Sequence, residues 1–420
     1  MINFAFQLFA HLRMKTFNVP VIYRSPLISA IKNQRKQQDR MKKDFTPTTL
    51  DFGPLKILLA RHFGFCYGVE NAIEIAFKTV DENPDKRIFL LSEMIHNPHV
   101  NNDLLDRGVQ FIMDTAGNQL VPWETLQPDD IVIIPAFGTT LETENKLASL
   151  GIEPLKYNTT CPFVERVWNK AEQIGKKQYT VIVHGKPKHE ETRATFSHSQ
   201  SNTPTIVVKD MAETEKLARF ITGETPAEAF YEQFKGQYSP GFDVTKDLQR
   251  VGVVNQTTML ATETQAIADY IRQVMMDRYA LTEATAGERF ADTRDTLCYA
   301  TNDNQSAVIG MLEAPADLAI VVGGYNSSNT SHLVELCEEK LPTYFINAPE
   351  QMAATDKINH WDFHHKTEIH SDTFLPEKEQ VTILLTSGAS CPDALVEGVI
   401  RRLLSFYGLE HKADELAIID

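Results

Sequence analysis

No apolar run in the sequence approaches the ~20 residues that a membrane-crossing helix needs, so a membrane-spanning reading falls away. Cysteine is scarce: five in 420 residues, an odd and scattered set. That scarcity argues against a disulfide framework and fits a reducing, cytoplasmic setting in which thiols bind metals or stay buried. There is no C-x-x-C pair, so neither a zinc ribbon nor a ferredoxin-type cluster is supported. There is also no G-x-G-x-x-G following a strand and no Walker lysine loop, which leaves an internal nicotinamide or ATP site without support. Positive charge is in deficit, with a net charge of −15, and this argues against a sequence-wide attraction to nucleic acid.

What is present is an ordinary globular composition, 42% hydrophobic and 23% charged, with length for two or three domains. The charge is uneven. Residues 1–44 hold nine Lys and Arg, from Arg13 to Lys43, against Asp39 and Asp44, a local +7. Only Ser25 and Ser29 occur in the first forty residues, and no apolar core with a small-residue cleavage site is present. The segment reads as a solvated basic extension.

Short apolar runs recur beyond it, and nearly all end in a polar loop. Leu55-Lys56-Ile57-Leu58-Leu59 leads to the loop of Cys66, and Ile88-Phe89-Leu90-Leu91 leads to His96. Ile131-Val132-Ile133-Ile134 leads to Phe137, and Val181-Ile182-Val183 to His189. Val251-Gly252-Val253-Val254 precedes Thr257, Leu318-Ala319-Ile320-Val321-Val322 precedes Ser327, and Val381-Thr382-Ile383-Leu384-Leu385 precedes Ser390. Runs without polar alternation predict strands buried on both faces, hence parallel sheets covered by helices. Amphipathic helices are expected over 69–80, 142–150, 163–174 and 331–341. The βαβα order makes the fold α/β, and ligands of such sheets bind outside the carboxyl ends of the strands. Here those ends carry Cys, His, Glu, Ser, Thr and Asn, which points to one composite site. Residues 223–250, with Pro226, Gly236, Pro240 and Gly241, read as a surface insertion.

Three cysteines stand in polar loops: Gly64-Phe65-Cys66-Tyr67-Gly68, Asn158-Thr159-Thr160-Cys161-Pro162 and Asp295-Thr296-Leu297-Cys298-Tyr299. Flanking Gly, Thr and Pro leave backbone N–H groups free to reach a cluster sulfur, and three thiolates leave one metal position open. A single cysteine is more often a small buried hydrophobe, which is how Cys337 and Cys391 read. His189-Glu190-Glu191 offers a general acid beside a hydrogen-bond donor; the alternative is a solvated acidic turn. Asn326-Ser327-Ser328-Asn329, at a strand end and before a helix, makes a phosphate cradle or an ordinary N-cap. Ser387-Gly388-Ala389-Ser390 is a second segment of that kind. His360, His364, His365 and His370 lie in a polar connector and read as solvated.

These motifs, in this order, resemble the 4-hydroxy-3-methylbut-2-enyl diphosphate reductase family. The resemblance rests on Gly64-Phe65-Cys66-Tyr67-Gly68-Val69-Glu70, Ile95-His96-Asn97, Thr160-Cys161-Pro162, His189-Glu190-Glu191-Thr192, Asn255-Gln256-Thr257-Thr258, Cys298-Tyr299-Ala300-Thr301, Asn326-Ser327-Ser328-Asn329 and Ser387-Gly388-Ala389-Ser390-Cys391-Pro392-Asp393. It implies a trefoil of three small parallel-sheet α/β domains around a central iron–sulfur cluster. The division expected is a basic extension at 1–51, domains at 52–160, 161–295 and 296–407, one cysteine in each, and a tail at 408–420.

By the same resemblance, Cys66, Cys161 and Cys298 hold one four-iron four-sulfur cluster. His96, His189, Ser327, Ser328, Asn329 and Ser390 hold an allylic diphosphate, Glu191 supplies protons, and Thr257 positions the substrate hydroxyl and the proton relay. The reaction implied is reductive dehydroxylation to isopentenyl and dimethylallyl diphosphate. With no second redox site visible, an external one-electron donor such as ferredoxin or flavodoxin is implied, and neither nucleic acid nor membrane is a partner. One departure stands out: the better-known branch has Ala-His-Gly where this chain has Ala136-Phe137-Gly138. Phenylalanine cannot donate to a diphosphate, so that contact is lost or passes to His184 or Thr139. The longer branch of photosynthetic organisms carries the Phe form. Two other classes stay open on the residues alone: a non-redox hydro-lyase with a three-cysteine cluster, and a binder of small diphosphates with buried cysteines.

Overall fold

The computed structural model describes residues 17–291, 293 and 296–417. The first sixteen residues of the expected extension, Asp295 of the third cysteine motif and the end of the expected tail lie outside the described residues. Among the described residues no helix is long and apolar enough to cross a membrane.

The unalternating apolar runs do form parallel strands. One sheet orders Gln110–Phe111, Ile88–Leu90 and Ile131–Ile133, and a second orders Thr205–Val208, Thr180–His184, Val251–Asn255 and Phe290–Ala291. A third orders Thr48–Asp51, Leu55–Leu59, Val381–Ser387, Leu318–Val322 and Thr343–Ile346, with only its first pair antiparallel. Every residue of Ile88–Leu90, Thr180–His184, Val251–Asn255 and Leu318–Val322 is buried, because helices cover both faces of each sheet.

The division of the chain differs from expectation. Leu55–Leu59 pairs in parallel with Val381–Ser387, Leu55 opposite Val381, so the strand that delivers Cys66 lies in the third sheet, not the first. The third sheet therefore draws strands from both the first and the last part of the chain, and 52 is no boundary. An apolar run declares burial but not its neighbour, which is settled by which helices can cover it.

The basic extension is packed, not solvated. Ser25 caps the helix Pro26–Gln38, its Oγ accepting from the Ile28 N–H at 2.9 Å, with Pro26 at the first helical position. Leu27, Ile28 and Ile31 form one stripe that enters the core of the third sheet, while the lysines face outward. Phe17, Val19 and Tyr23 pack against Val69, Ile73 and Phe77 of the first unit, so this segment joins the two units. The C-terminal tail is also attached: the helix His411–Ala417 packs on Pro26–Gln38, with Ala413 fully buried.

Residues 223–250 do lie between a helix and the Val251 strand, yet they are not a surface loop. Phe230, Phe234, Phe242, Val244 and Leu248 are core residues of the second sheet. The Gln237 carbonyl accepts from the Val207 N–H at 2.7 Å, so the segment covers the open edge of Thr205–Val208. The histidine connector is a hairpin of Ile358–Asp362 and Thr367–Ser371, with His364 and His365 at its exposed turn.

Candidate functional site

Carboxyl ends of strands from all three sheets meet at one pocket. It is lined by Cys66, Cys161 and Cys298 together with Glu191 and Thr257. Each cysteine is the N-cap of a long helix: Cys66 of Tyr67–Glu82, Cys161 of Pro162–Lys176 and Cys298 of Tyr299–Met311. Three helix N-termini therefore aim their free N–H groups and positive dipole ends at one place, an arrangement that favours anions and thiolates. The loops are tied together by the cysteine backbones. The N–H of Cys66 donates to Ala389 at 3.1 Å, that of Cys161 to Ala136 at 2.9 Å, and that of Cys298 to Thr257 at 3.2 Å. The Cys298 sulfur accepts from the Thr301 N–H at 3.3 Å. Gly68 lets the first helix approach the second cysteine, since a Cβ there would stand 2.4 Å from the Cys161 sulfur.

The sulfurs fit an iron–sulfur cluster by their electrostatics. Burial, and then the neighbouring thiols of Cys161 and Cys298, push the Cys66 thiol far up; burial pushes Cys161 up to about 12, and Cys298 upward as well. Three half-buried thiols that resist ionising beside one another suit a positively charged metal group, which would hold them as thiolates. Among the described residues no group of three Cys, His, Asp or Glu side chains is placed to hold a single metal ion.

Glu191 is fully enclosed. Its Oε1 accepts from the Thr257 N–H at 2.5 Å and its Oε2 from the Thr257 hydroxyl at 2.9 Å. Burial outweighs these bonds and raises its pKa to about 7, so the acid form is available near neutrality.

Beside it lies a group of polar atoms with no partner. His189 accepts from the Glu191 N–H through Nδ1 at 3.2 Å, which leaves the proton on Nε2; that atom is buried and unpaired. Burial holds the ring well below the usual histidine range, hence neutral. The Asn329 Oδ1 accepts from the Ala389 N–H at 2.9 Å, which turns its Nδ2 donor the other way, also without a partner. The Ser328 hydroxyl is buried and unpartnered at the start of the helix Ser328–Glu338, whose N-cap is Ser327. Donors of this kind with no acceptor carry a desolvation cost that an anion would relieve. Ser390 lines the same pocket, but its hydroxyl donates to the His96 carbonyl at 3.1 Å.

All eleven expected site residues line this one pocket, Ser327 and His96 included. The expected substitutes for the missing histidine do not. His184 is buried at its strand end beside Thr264, and the Thr139 carbonyl accepts from His198; neither lines the pocket. Phe137 occupies the position itself, stacked on His96 at 4.2 Å and edge-on to His189 at 5.7 Å. Sequence reasoning missed Glu190. Its Oε2 receives His96 Nε2 at 2.8 Å and its Oε1 the Ser92 hydroxyl, so it orients a pocket histidine from behind. Consecutive residues on a helix's first turn point apart, so Glu190 reaches His96 while Glu191 reaches Thr257.

A family model described as LytB protein matches residues 57–404. The chain is 40% identical over 366 residues to the 4-hydroxy-3-methylbut-2-enyl diphosphate reductase of Synechococcus sp. (strain RCC307), covering 87% of each chain. It is 37% identical to that of Picosynechococcus sp. (strain ATCC 27264 / PCC 7002 / PR-6), covering 91% of this chain and 89% of the relative. Among solved structures, the E-1-hydroxy-2-methyl-but-2-enyl-4-diphosphate reductase from Plasmodium falciparum superposes with a TM-score of 0.59 at 20% identity, over 84% of this chain and 88% of that one. That likeness concerns the fold.

Proposed function

The chain belongs to the LytB protein family, and from that premise we propose that its central pocket reduces 4-hydroxy-3-methylbut-2-enyl diphosphate. The reaction takes two electrons and two protons, breaks the allylic C–O bond, and releases water with isopentenyl or dimethylallyl diphosphate. Cys66, Cys161 and Cys298 would hold a four-iron four-sulfur cluster, which would supply electrons one at a time and a Lewis-acid iron for the hydroxyl.

The remaining chemistry belongs to the chain's own side chains. His189 Nε2, the Ser328 hydroxyl and Asn329 Nδ2 are the unpaired donors that bind diphosphate oxygens, with His96, Ser327 and Ser390 beside them. The N-terminus of Ser328–Glu338 adds backbone donors and a favourable dipole without any Lys or Arg. Glu191, protonated near neutrality, delivers a proton to the departing hydroxyl, and Thr257, whose hydroxyl donates to Glu191 Oε2, positions that carboxyl. Phe137 shields one side from water and holds the His96 ring by stacking. Electrons come from an external one-electron protein donor. A reducing, cytoplasmic compartment is supported by five cysteines that are all free thiols.

The observation that carries this reading is the convergence of three helix-capping cysteines with Glu191 in one pocket. It is tested by iron and acid-labile sulfide analysis after reconstitution without oxygen. About four of each per chain, with a spectrum that changes on adding the diphosphate substrate, is the expected result. Absence of iron from the fully folded chain would retire the reading, as would an intact spectrum in Cys298→Ser.

A further inference from the structure

Cys66 faces two openings. One is the central pocket; the other is a separate surface groove of about 240 Å³ that Cys66 also lines. This second groove runs along the helix Pro26–Gln38 of the basic segment, and its walls carry Lys32, Lys36, Lys42 and Arg61. Lys32 pairs with Asp393 at 2.7 Å and Arg61 with Asp39 at 3.7 Å. Lys36 and Lys42 are exposed and have no carboxylate partner among the described residues. Asp303 is the acidic residue on the wall. Met41, 73% exposed, stands in the same basic segment, and the exposed ring of Tyr299 closes the groove beside the cysteine.

On a protein of net charge −15, free lysines collected over a cluster ligand call for an explanation. Solubility does not need them there, and the substrate has its own pocket. We infer that this groove is the docking face for a small acidic one-electron carrier protein, which passes electrons through the Cys66 side of the site. The inference rests on the reductase reading and adds where its reductant binds. Charge complementarity selects the partner: the chain as a whole is acidic, and the free Lys36 and Lys42 on this wall attract an acidic protein to the Cys66 side. The exposed ring of Tyr299 supplies apolar contact among the charged side chains of the wall, the usual anatomy of a transient interface. Each encounter oxidises the carrier by one electron and reduces the holoenzyme by one, so two encounters serve one turnover. Because the groove lies apart from the diphosphate donors, the carrier docks while substrate is bound.

The test uses the reconstituted holoenzyme and the Lys36→Glu/Lys42→Glu variant, with two reductants. One is a reduced acidic ferredoxin and the other dithionite with methyl viologen, a small cation that needs no docking face. Charge reversal is expected to raise the KM for ferredoxin about tenfold at low salt and to flatten its salt dependence, since exposed charges act within a ~10 Å Debye length. Viologen-driven turnover and iron content are expected to stay unchanged. Viologen-driven turnover with an unaltered ferredoxin KM would overturn the docking face alone. An unmodified chain idle with both reductants would overturn the reductase reading and the docking face with it.

Discussion

Replacing Gly68 by alanine separates what the helix gains from what the site loses. Gly68 is the second residue of the helix Tyr67–Glu82, a place where alanine ordinarily stabilises by up to ~1 kcal/mol. Here the new methyl would stand 2.4 Å from the Cys161 sulfur and 3.1 Å from its Cβ. Ordinary contacts lie at about 3.5–4.0 Å, so the sulfur must move by roughly 1 Å or more. Overpacking of this kind costs about 1–3 kcal/mol, so the net loss of stability is about 0–3 kcal/mol, and the chain still folds. The site is far less tolerant, because metal–ligand distances hold to about 0.2 Å. Gly68→Ala should therefore melt within a few degrees of the parent yet lose most of its iron and sulfide after reconstitution, and turnover should fall at least about hundredfold. Gly287→Ala, where an added Cβ meets nothing within 4 Å, is the control and should load normally. A Gly68→Ala protein with full iron and turnover within twofold of the parent would refute the placement of Cys161 as a ligand held against the first helix.

Glu191→Gln should retain the cluster spectrum and lose about 10²–10⁴ in kcat, since an amide cannot deliver the proton; retained turnover would remove Glu191 from that role. Burial raises Glu191 to about 7 and its acid form is the donor, so kcat should be flat at lower pH and fall as pH rises through about 7. A profile without that limb would count against the assignment. Ser328→Ala and Asn329→Ala should each weaken inorganic diphosphate binding about ten- to hundredfold by calorimetry, the worth of one hydrogen bond to a charged group, with iron content unchanged. Burial, and then the nearby His332, push His184 down to about 4. The unfolded chain binds this proton below about 6.5, so stability should fall as pH drops from 6.5 to 4, by about 3 kcal/mol. Urea midpoints of the parent and of His184→Asn compared across that window measure it, and equal slopes would refute the buried-neutral histidine.

Much of the site was legible before any coordinates, because its chemistry is carried by strand-end loops and parallel strands announce themselves as unbroken apolar runs. Cys66, Cys161 and Cys298 stood out by their Gly, Thr and Pro neighbours, and those same neighbours prove to be the first turns of three helices. Glu190 was not legible. Nothing in His189-Glu190-Glu191 says that one carboxylate turns to Thr257 and its neighbour to His96, since that depends on what surrounds the first helical turn. The replacement of histidine by Phe137 was visible as a loss, but its outcome was not: ring stacking on His96 depends on two loops from different strands meeting at 4.2 Å.

By itself the sequence determined the α/β class, the loops that bear chemistry and the identity of the groups in them, because side-chain periodicity and residue type are local properties. Tertiary structure alone decided that Leu55–Leu59 joins the last strands of the chain, that Leu27, Ile28 and Ile31 anchor a segment whose charge made it look solvated, and that Phe230 and Phe242 turn an apparent surface insertion into core. It also decided that Cys66 opens both to the substrate pocket and to a lysine-lined groove. The physical reason is common to all of these: a sequence states which surfaces must leave water, whereas the partner against which each is buried is chosen only when the whole chain competes for the same interior.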